Sequence, residues 1–348
     1  MTTTSTMPAM VIRAHGGPEV LLAEEVPVPE PGPGEVRVEV RAVAMNHMDL
    51  WVRRGGPAFK VEFPFRLGCD IAGVVESLGA GVADPAPGTR VVLNPGLSCG
   101  RCAQCLAGAD NLCRSYRILG EHVPGGYGRF VVVPRANLAP YPGELPFEQA
   151  AAVPLTFLTA WQMLVRKAVV RPGETVLVQG AGSGVGVAGI QIAKLFGARV
   201  IATASTPEKL EHARALGAEH AIDYTTQDFV AEVKKLTDKR GADVVFEHVG
   251  GETFAKSILA TRSGGRIVTC GATSGFTPQI DLRHVFFRQI AIFGSTMGSK
   301  SDLLALLPHV ASGRLRPVVD RVLPLASAAE AHRALEAREV FGKIVLVP

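Results

Sequence analysis

The chain has no apolar run long enough to span a bilayer, and its Thr-rich opening, MTTTSTMPAM, lacks the charged and hydrophobic regions of a signal peptide. Its net charge of +4 is small and dispersed, which argues against a nucleic-acid partner. Neither an internal repeat nor a low-complexity tract is present. These absences leave an ordinary soluble protein, expected in the cytoplasm, away from membranes, and acting on a small molecule. With 348 residues, 47 % hydrophobic and 20 % charged, it has room for two domains and a sizeable core.

The most informative stretch runs from Glu174 to Ala218. Val176 to Val178 reads as a short buried strand, followed at once by the glycines Gly180, Gly182, Gly184 and Gly186. Val185 to Phe196 then reads as an apolar helix and Arg199 to Ala202 as a second strand. A glycine turn between strand and helix lets a pyrophosphate approach the helix N-terminus, whose free N–H groups and dipole favour negative charge. A dinucleotide is therefore the expected ligand, held by Gly182, Ser183, Gly184, Val185 and Gly186. The fingerprint is imperfect: the literal G-x-G-x-x-G at Gly184, Gly186 and Gly189 starts too late, while the register that bridges from the strand puts Ala181 and Ser183 at its first two positions.

At the end of the second strand, where NAD-selective sites carry an acidic residue for the ribose 2′-OH, this sequence has Ala204, followed by Ser205, Thr206 and Lys209. Hydroxyls and a cation in place of a carboxylate suit a 2′-phosphate, so NADPH is the expected cofactor. A lysine decorating an exposed helix is the plainer reading of Lys209.

From Met10 to about Val133 the pattern is mostly β, with alternating segments such as Val36 to Val40 and a Pro/Gly-rich connection from Val26 to Gly34. A helix-poor half joined to an α/β half implies two domains. Cys99, Cys102, Cys105 and Cys113 fall within the first, spaced C-x2-C-x2-C-x7-C. That spacing lets one loop wrap four thiolates around a tetrahedral ion, and a site closed by four cysteines makes the metal structural, one Zn2+ in a lobe spanning 95–115. Disulfides are the alternative, disfavoured in a cytoplasmic chain.

The runs AVAMNHMDLWVRRG, FPFRLGCDIAGVVESLGAGV, CGRCAQCLAGADNLC, VLVQGAGSGVG and FGKIVL, in this order over essentially the whole chain, resemble the zinc-type medium-chain dehydrogenase/reductase superfamily, closest to its quinone oxidoreductase and enoyl reductase branch. The resemblance implies an α/β fold class: a GroES-like β-rich catalytic domain over 1–150 and 314–348, and a doubly wound Rossmann domain with a parallel sheet over 151–313. It also implies a substrate cleft between them and a homodimer or homotetramer, the family often pairing subunits by extending the sheet near Phe286 to Phe293.

Where zinc alcohol dehydrogenases of this family carry catalytic zinc ligands, the matching positions are Asn46, Cys69 with Asp70, and Leu155, and their proton-relay hydroxyl falls on Met48. An amide and an aliphatic side chain do not replace two thiolates. A site built from Cys69, Asp70 and His47 or His122 is the metal-binding alternative. Without a Lewis acid the site suits an acceptor that delocalises its own charge, a quinone, an enone or an enoyl thioester. The resemblance gives Asn46 and Trp51 places beside the nicotinamide and substrate, Asp49 a loop-ordering role, and His47 and Lys343 the pyrophosphate. Thr159, Cys270, Gly271 and Ser295 are expected near the nicotinamide, and Tyr224 near the 2′-phosphate with Ser205 and Lys209. His248 reads as a solvated turn residue. A zinc alcohol dehydrogenase with altered ligands, and a nucleotide-binding protein with little turnover, are the competing functions.

Overall fold

A computed structural model describes residues 5–57 and 59–348, so the first four residues of the Thr-rich opening lie outside the described residues. The chain divides into two compact units, Met1–Leu155 with Ser299–Gly313 and Pro317–Pro348, and Thr156–Gly298 with Arg314–Arg316.

In the first unit the strand Glu35–Ala44 is the organising element. Its alternating burial reflects the Val-x-Val-x-Val pattern, which sends every second side chain into the core. It pairs antiparallel with Asp70–Leu78, with Phe130–Pro134 along its first half, and with Lys343–Val347 at its end. Arg90–Leu93, Leu138–Pro140 and Val319–Pro324 complete a seven-stranded sheet. The helix Lys300–Ala311, expected in the second domain, groups with the first unit. Its N-terminus is anchored there: Lys300 gives its backbone N–H to Asp110 Oδ1 and its ammonium to Asp110 Oδ2, both at 2.9 Å.

In the second unit six parallel strands lie in the order His220–Asp223, Arg199–Ala204, Thr175–Val178, Ala242–Glu247, Thr261–Thr269, Ala291–Gly294. The three central strands, Arg199–Ala204, Thr175–Val178 and Ala242–Glu247, are buried almost throughout, as a parallel sheet covered by helices requires, while the edge strands His220–Asp223 and Ala291–Gly294 are more open. The chain winds outward in one direction from Thr175–Val178 and then returns to Ala242–Glu247 to wind in the other, so the topological switch point lies between these two strands. Among the described residues, no helix is long and apolar enough to cross a membrane.

Candidate functional site

Every nucleotide-contact candidate expected in the sheet follows the carboxyl end of a strand: the glycine turn after Val178, Ser205 after Ala204, Tyr224 after Asp223, Cys270 after Thr269 and Ser295 after Gly294. The helix over the turn starts at Gly184, with Ser183 as its N-cap. The sterically required glycines differ from the literal motif. Gly180 turns the chain with φ of 62°, a Cβ on Gly186 would lie 2.3 Å from Gly180 O, and one on Gly189 would lie 3.1 Å from the Phe246 ring. A tight turn, a close backbone approach and close helix–strand packing are thus met by Gly180, Gly186 and Gly189. Gly182, Ser183, Gly184 and Val185 remain partly exposed above this cradle, which fits a pyrophosphate.

His248 departs from expectation. It is 8 % exposed, and its Nε2 lies 3.2 Å from Ser183 Oγ across the switch point. Ser183 Oγ also donates to Gly180 O at 3.0 Å and accepts from Gly186 N at 2.9 Å. Its hydrogen-bonding capacity closes when His248 donates from Nε2. Burial holds the imidazole neutral, its pKa pushed down to about 4. Sequence reading treated the residue as solvated because nothing local in EHVG signals that the ring packs against a turn 65 positions earlier.

At the ends of Arg199–Ala204 and His220–Asp223, Ala204 is buried, Ser205 and Lys209 are partly exposed, and Tyr224 is 44 % exposed. Thr206 caps the next helix, its Oγ1 accepting from Lys209 N. The nearest strand-end carboxylate, Asp223, bends into its own turn, accepting from Thr225 N at 2.9 Å and Thr225 Oγ1 at 2.6 Å. Thr159 is buried at 4 %, and Ser295 at 8 % with its backbone N–H on Thr269 O.

In the first unit, strand register brings a charged group to Asn46. Val345 faces Ala44, and Ala44 faces Asp70 on its other side, so two residues further along the first pairing Lys343 meets Asn46. Lys343 Nζ lies 2.6 Å from Asn46 Oδ1 and 2.9 Å from Asp70 Oδ2. Asn46 Nδ2 donates to Asp70 Oδ2 at 3.0 Å and to Cys69 Sγ at 3.3 Å, while Leu155 N donates to Asp70 Oδ1 at 2.6 Å. An ammonium on one side and a carboxylate on the other fix which way the Asn46 amide points. Lys343, expected to reach a pyrophosphate, is instead 4 % exposed and committed to this cluster. Asp49 stands beside it, accepting from Asn46 N at 2.7 Å and Gly68 N at 2.9 Å. Burial raises its pKa to about 6 against these two N–H groups, and burial likewise raises the Cys69 thiol. Trp51 and His47 are partly exposed on the helix His47–Arg54.

The sulfur atoms of Cys99, Cys102, Cys105 and Cys113 all lie within 4.8 Å of one another, with Cys102–Cys105 at 3.5 Å and Cys99–Cys105 at 3.9 Å. A zinc tetrahedron with Zn–S of about 2.3 Å has S···S edges of about 3.8 Å, so the four thiols fit that ion. Backbone N–H groups of Arg101 and Cys102 hold the Cys99 thiol down to about 6, favouring thiolate.

Residues 32–143 match the alcohol dehydrogenase GroES-like domain and residues 184–312 the zinc-binding dehydrogenase model. A curated NAD-dependent alcohol dehydrogenase of Sulfurisphaera tokodaii is 32 % identical over 98 % of this chain and 100 % of the relative. A 2-haloacrylate reductase of Burkholderia sp is 33 % identical over 98 % of each. A solved structure described as an NAD-dependent alcohol dehydrogenase is 58 % identical, with a TM-score of 0.96 over 98 % of this chain and all of the other.

Proposed function

The chain belongs to the zinc-type medium-chain dehydrogenase/reductase superfamily, and on that premise we propose that it is an NADPH-dependent reductase of conjugated acceptors working without a catalytic metal. The observation that carries the reading is the Lys343 ammonium on Asn46 and Asp70. At these positions, where a dication would need anionic or imidazole ligands, the chain supplies an amide, a cation and a carboxylate already neutralised by that cation. A cation built into the fold answers the charge that a metal would answer elsewhere.

When bound, NADPH supplies a hydride to the electron-poor carbon of a quinone, an enone or an enoyl thioester. Negative charge then develops on the acceptor's oxygen, where hydrogen-bond donors are enough to hold it, and a proton from solvent completes the reduction. Preference for NADPH is supported by the lack, among the described residues, of a free carboxylate at the end of Arg199–Ala204, with Asp223 tied into its own turn and Ser205, Lys209 and Tyr224 following the ends of these two neighbouring strands. The 2-haloacrylate reductase relative, named for reducing a substituted acrylate, supports the acceptor class. The four-cysteine lobe would hold one structural Zn2+.

We also assign a homodimer, formed by a second copy on the strand Ala291–Gly294. That strand is an open sheet edge beside exposed Phe286, Phe287 and Ile292, the kind of edge that proteins cover by pairing.

The likeness to NAD-dependent alcohol dehydrogenases favours a second reading, oxidation of simple alcohols at a second, catalytic zinc. Steady-state rates with both nucleotides, on cyclohexenone and benzoquinone against simple alcohols, together with metal content per chain, separate the two. One zinc and NADPH-driven enone or quinone reduction are expected. Two zincs with faster, zinc-dependent alcohol oxidation would replace the proposal, and tight NADPH binding with no turnover of any acceptor would reduce it to a nucleotide binder.

A further inference from the structure

His248 has no part in the chemistry above, yet its ring packs against the glycine turn. It lies two residues after Phe246, just past the strand Ala242–Glu247, and strand alternation sends both side chains the same way. The rings meet edge to face at 6.1 Å. Phe246 underlies Gly189, and a Cβ on Gly180 would lie 3.0 Å from His248 Cε1. The main chain behind the imidazole is fixed as well. His248 O accepts from Thr273 N at 3.3 Å, and the Glu247 carboxylate accepts from Val249 N and Gly250 N, each at 3.1 Å. The ring is a rigid support for the turn.

The N–H groups that open the helix Gly184–Leu195 show what that support is for. That of Ser183 donates to Gly180 O at 3.1 Å, and that of Gly186 to Ser183 Oγ at 2.9 Å. Gly184 and Val185, the first two helical residues, have no acceptor within the helix, and both are partly exposed. Ser183 Oγ has nothing left to give an anion. Its proton goes to Gly180 O at 3.0 Å, and its two lone pairs take the Gly186 N–H and the Nε2–H of His248 at 3.2 Å. Without the His248 proton, one lone pair stays unanswered next to two N–H groups that favour negative charge, and the hydroxyl is free to turn.

We propose that His248 is a positioning residue for the dinucleotide: by donating to Ser183 Oγ it locks the serine inward, so the pyrophosphate is taken up by the main-chain N–H groups of Gly184 and Val185 and not by the serine hydroxyl. This rests on the dinucleotide part of the reading above, and neither on the acceptor nor on the choice between NADPH and NADH. Burial keeps the imidazole uncharged, so it contributes a donor and a fixed geometry while the helix N-terminus supplies the attraction for the anion.

His248→Met and His248→Gln lose the ring alike and are close in volume, but only glutamine carries an N–H. In titrations followed by NADPH fluorescence, His248→Met should bind roughly tenfold more weakly than the native chain, the scale of one hydrogen bond, and His248→Gln should recover most of that loss at a matching thermal midpoint. Where turnover is measured, the nucleotide KM should rise with kcat unchanged. Ser183→Ala and His248→Met act through one bond, so the double variant should bind no more weakly than Ser183→Ala alone. Before any nucleotide is added, nitrogen NMR shifts of the imidazole should report a neutral His248 protonated on Nε2. Methionine and glutamine variants that bind alike, losses that add in the double variant, or a proton found on Nδ1 would overturn the assignment and leave His248 a packing residue. Nucleotide binding with no reduction of any conjugated acceptor would sink the reductase reading, while the same difference between the two variants would still uphold His248; a native chain that binds neither NADPH nor NADH would sink both.

Discussion

Two lysine–aspartate pairs in the first unit have the same N···O separation of 2.9 Å, Lys343 with Asp70 and Lys300 with Asp110. Their surroundings differ. The first pair has side chains 4 % and 0 % exposed and shares its charge with an amide, whereas the second, 22 % and 11 % exposed, braces the cysteine lobe through Ser98 Oγ at 2.8 Å and Gly96 O at 3.3 Å. Coulomb attraction at a fixed distance varies with the dielectric around it, and so does the cost of stripping water from each ion. Equal geometry therefore predicts unequal energetics. The inner pair is a committed part of the core, so losing one partner should be severe, while the outer pair should act as a modest brace for a lobe whose proposed zinc would hold it chiefly.

The largest effect is expected at the inner pair. Lys343→Met leaves the Asp70 carboxylate buried without its cation and should destabilise the chain by about 3–5 kcal/mol in denaturant unfolding. The double variant Lys343→Met/Asp70→Asn removes both charges and should recover much of that loss. A Lys343→Met cost no greater than that of the equivalent change at Lys300 would break the contrast.

Asp49 sharpens it through pH. Its folded pKa of about 6 lies above the ordinary carboxyl value, chiefly from burial, with Asp70 opposing and Lys343 favouring ionisation. The folded state therefore binds more protons than the unfolded state between about pH 4 and 6, and stability from this group falls as pH rises through that window, by on the order of 3 kcal/mol, then levels. Subtracting the stability curve of Asp49→Asn from the native one should isolate this slope. Parallel curves would show that the carboxyl titrates normally and that the cluster is wetter than its burial implies.

What was legible in the sequence tracks sequence separation. The strand–glycine–helix unit was placed to within a residue or two because its signals lie side by side, and the cysteine lobe was legible because all four sulfurs come from one loop, Cys99 to Cys113. Lys343 was aimed at a nucleotide because FGKIVL fixes only a strand. Its actual partners depend on the pairing of Val345 with Ala44, and Asn46 lies 297 residues away. His248 escaped notice for a related reason, since its burial and its partner Ser183, 65 positions away, are properties of packed surroundings. The helix Lys300–Ala311 was read with the second domain because its apolar pattern looks alike in either, and its grouping with the first unit, where Lys300 meets Asp110, is a matter of contacts that the sequence does not carry.

That contact gives the smallest effect. Lys300→Met removes an ammonium that retains some solvent, and Asp110 keeps hydrogen bonds from Ser98 Oγ at 3.2 Å and Lys300 N at 2.9 Å, so its carboxylate is not abandoned. The expected loss is about 1 kcal/mol or less in unfolding, because a partly screened pair returns most of its attraction to water when broken. Its local consequence should be easier to see. With one brace gone, the lobe depends more on its four thiolates, so a chelator should strip zinc from Lys300→Met faster than from the native protein, at unchanged stoichiometry. A global loss matching that of Lys343→Met, or zinc release that does not change, would mean that the lobe is held through its packing and that exposure does not separate the two pairs.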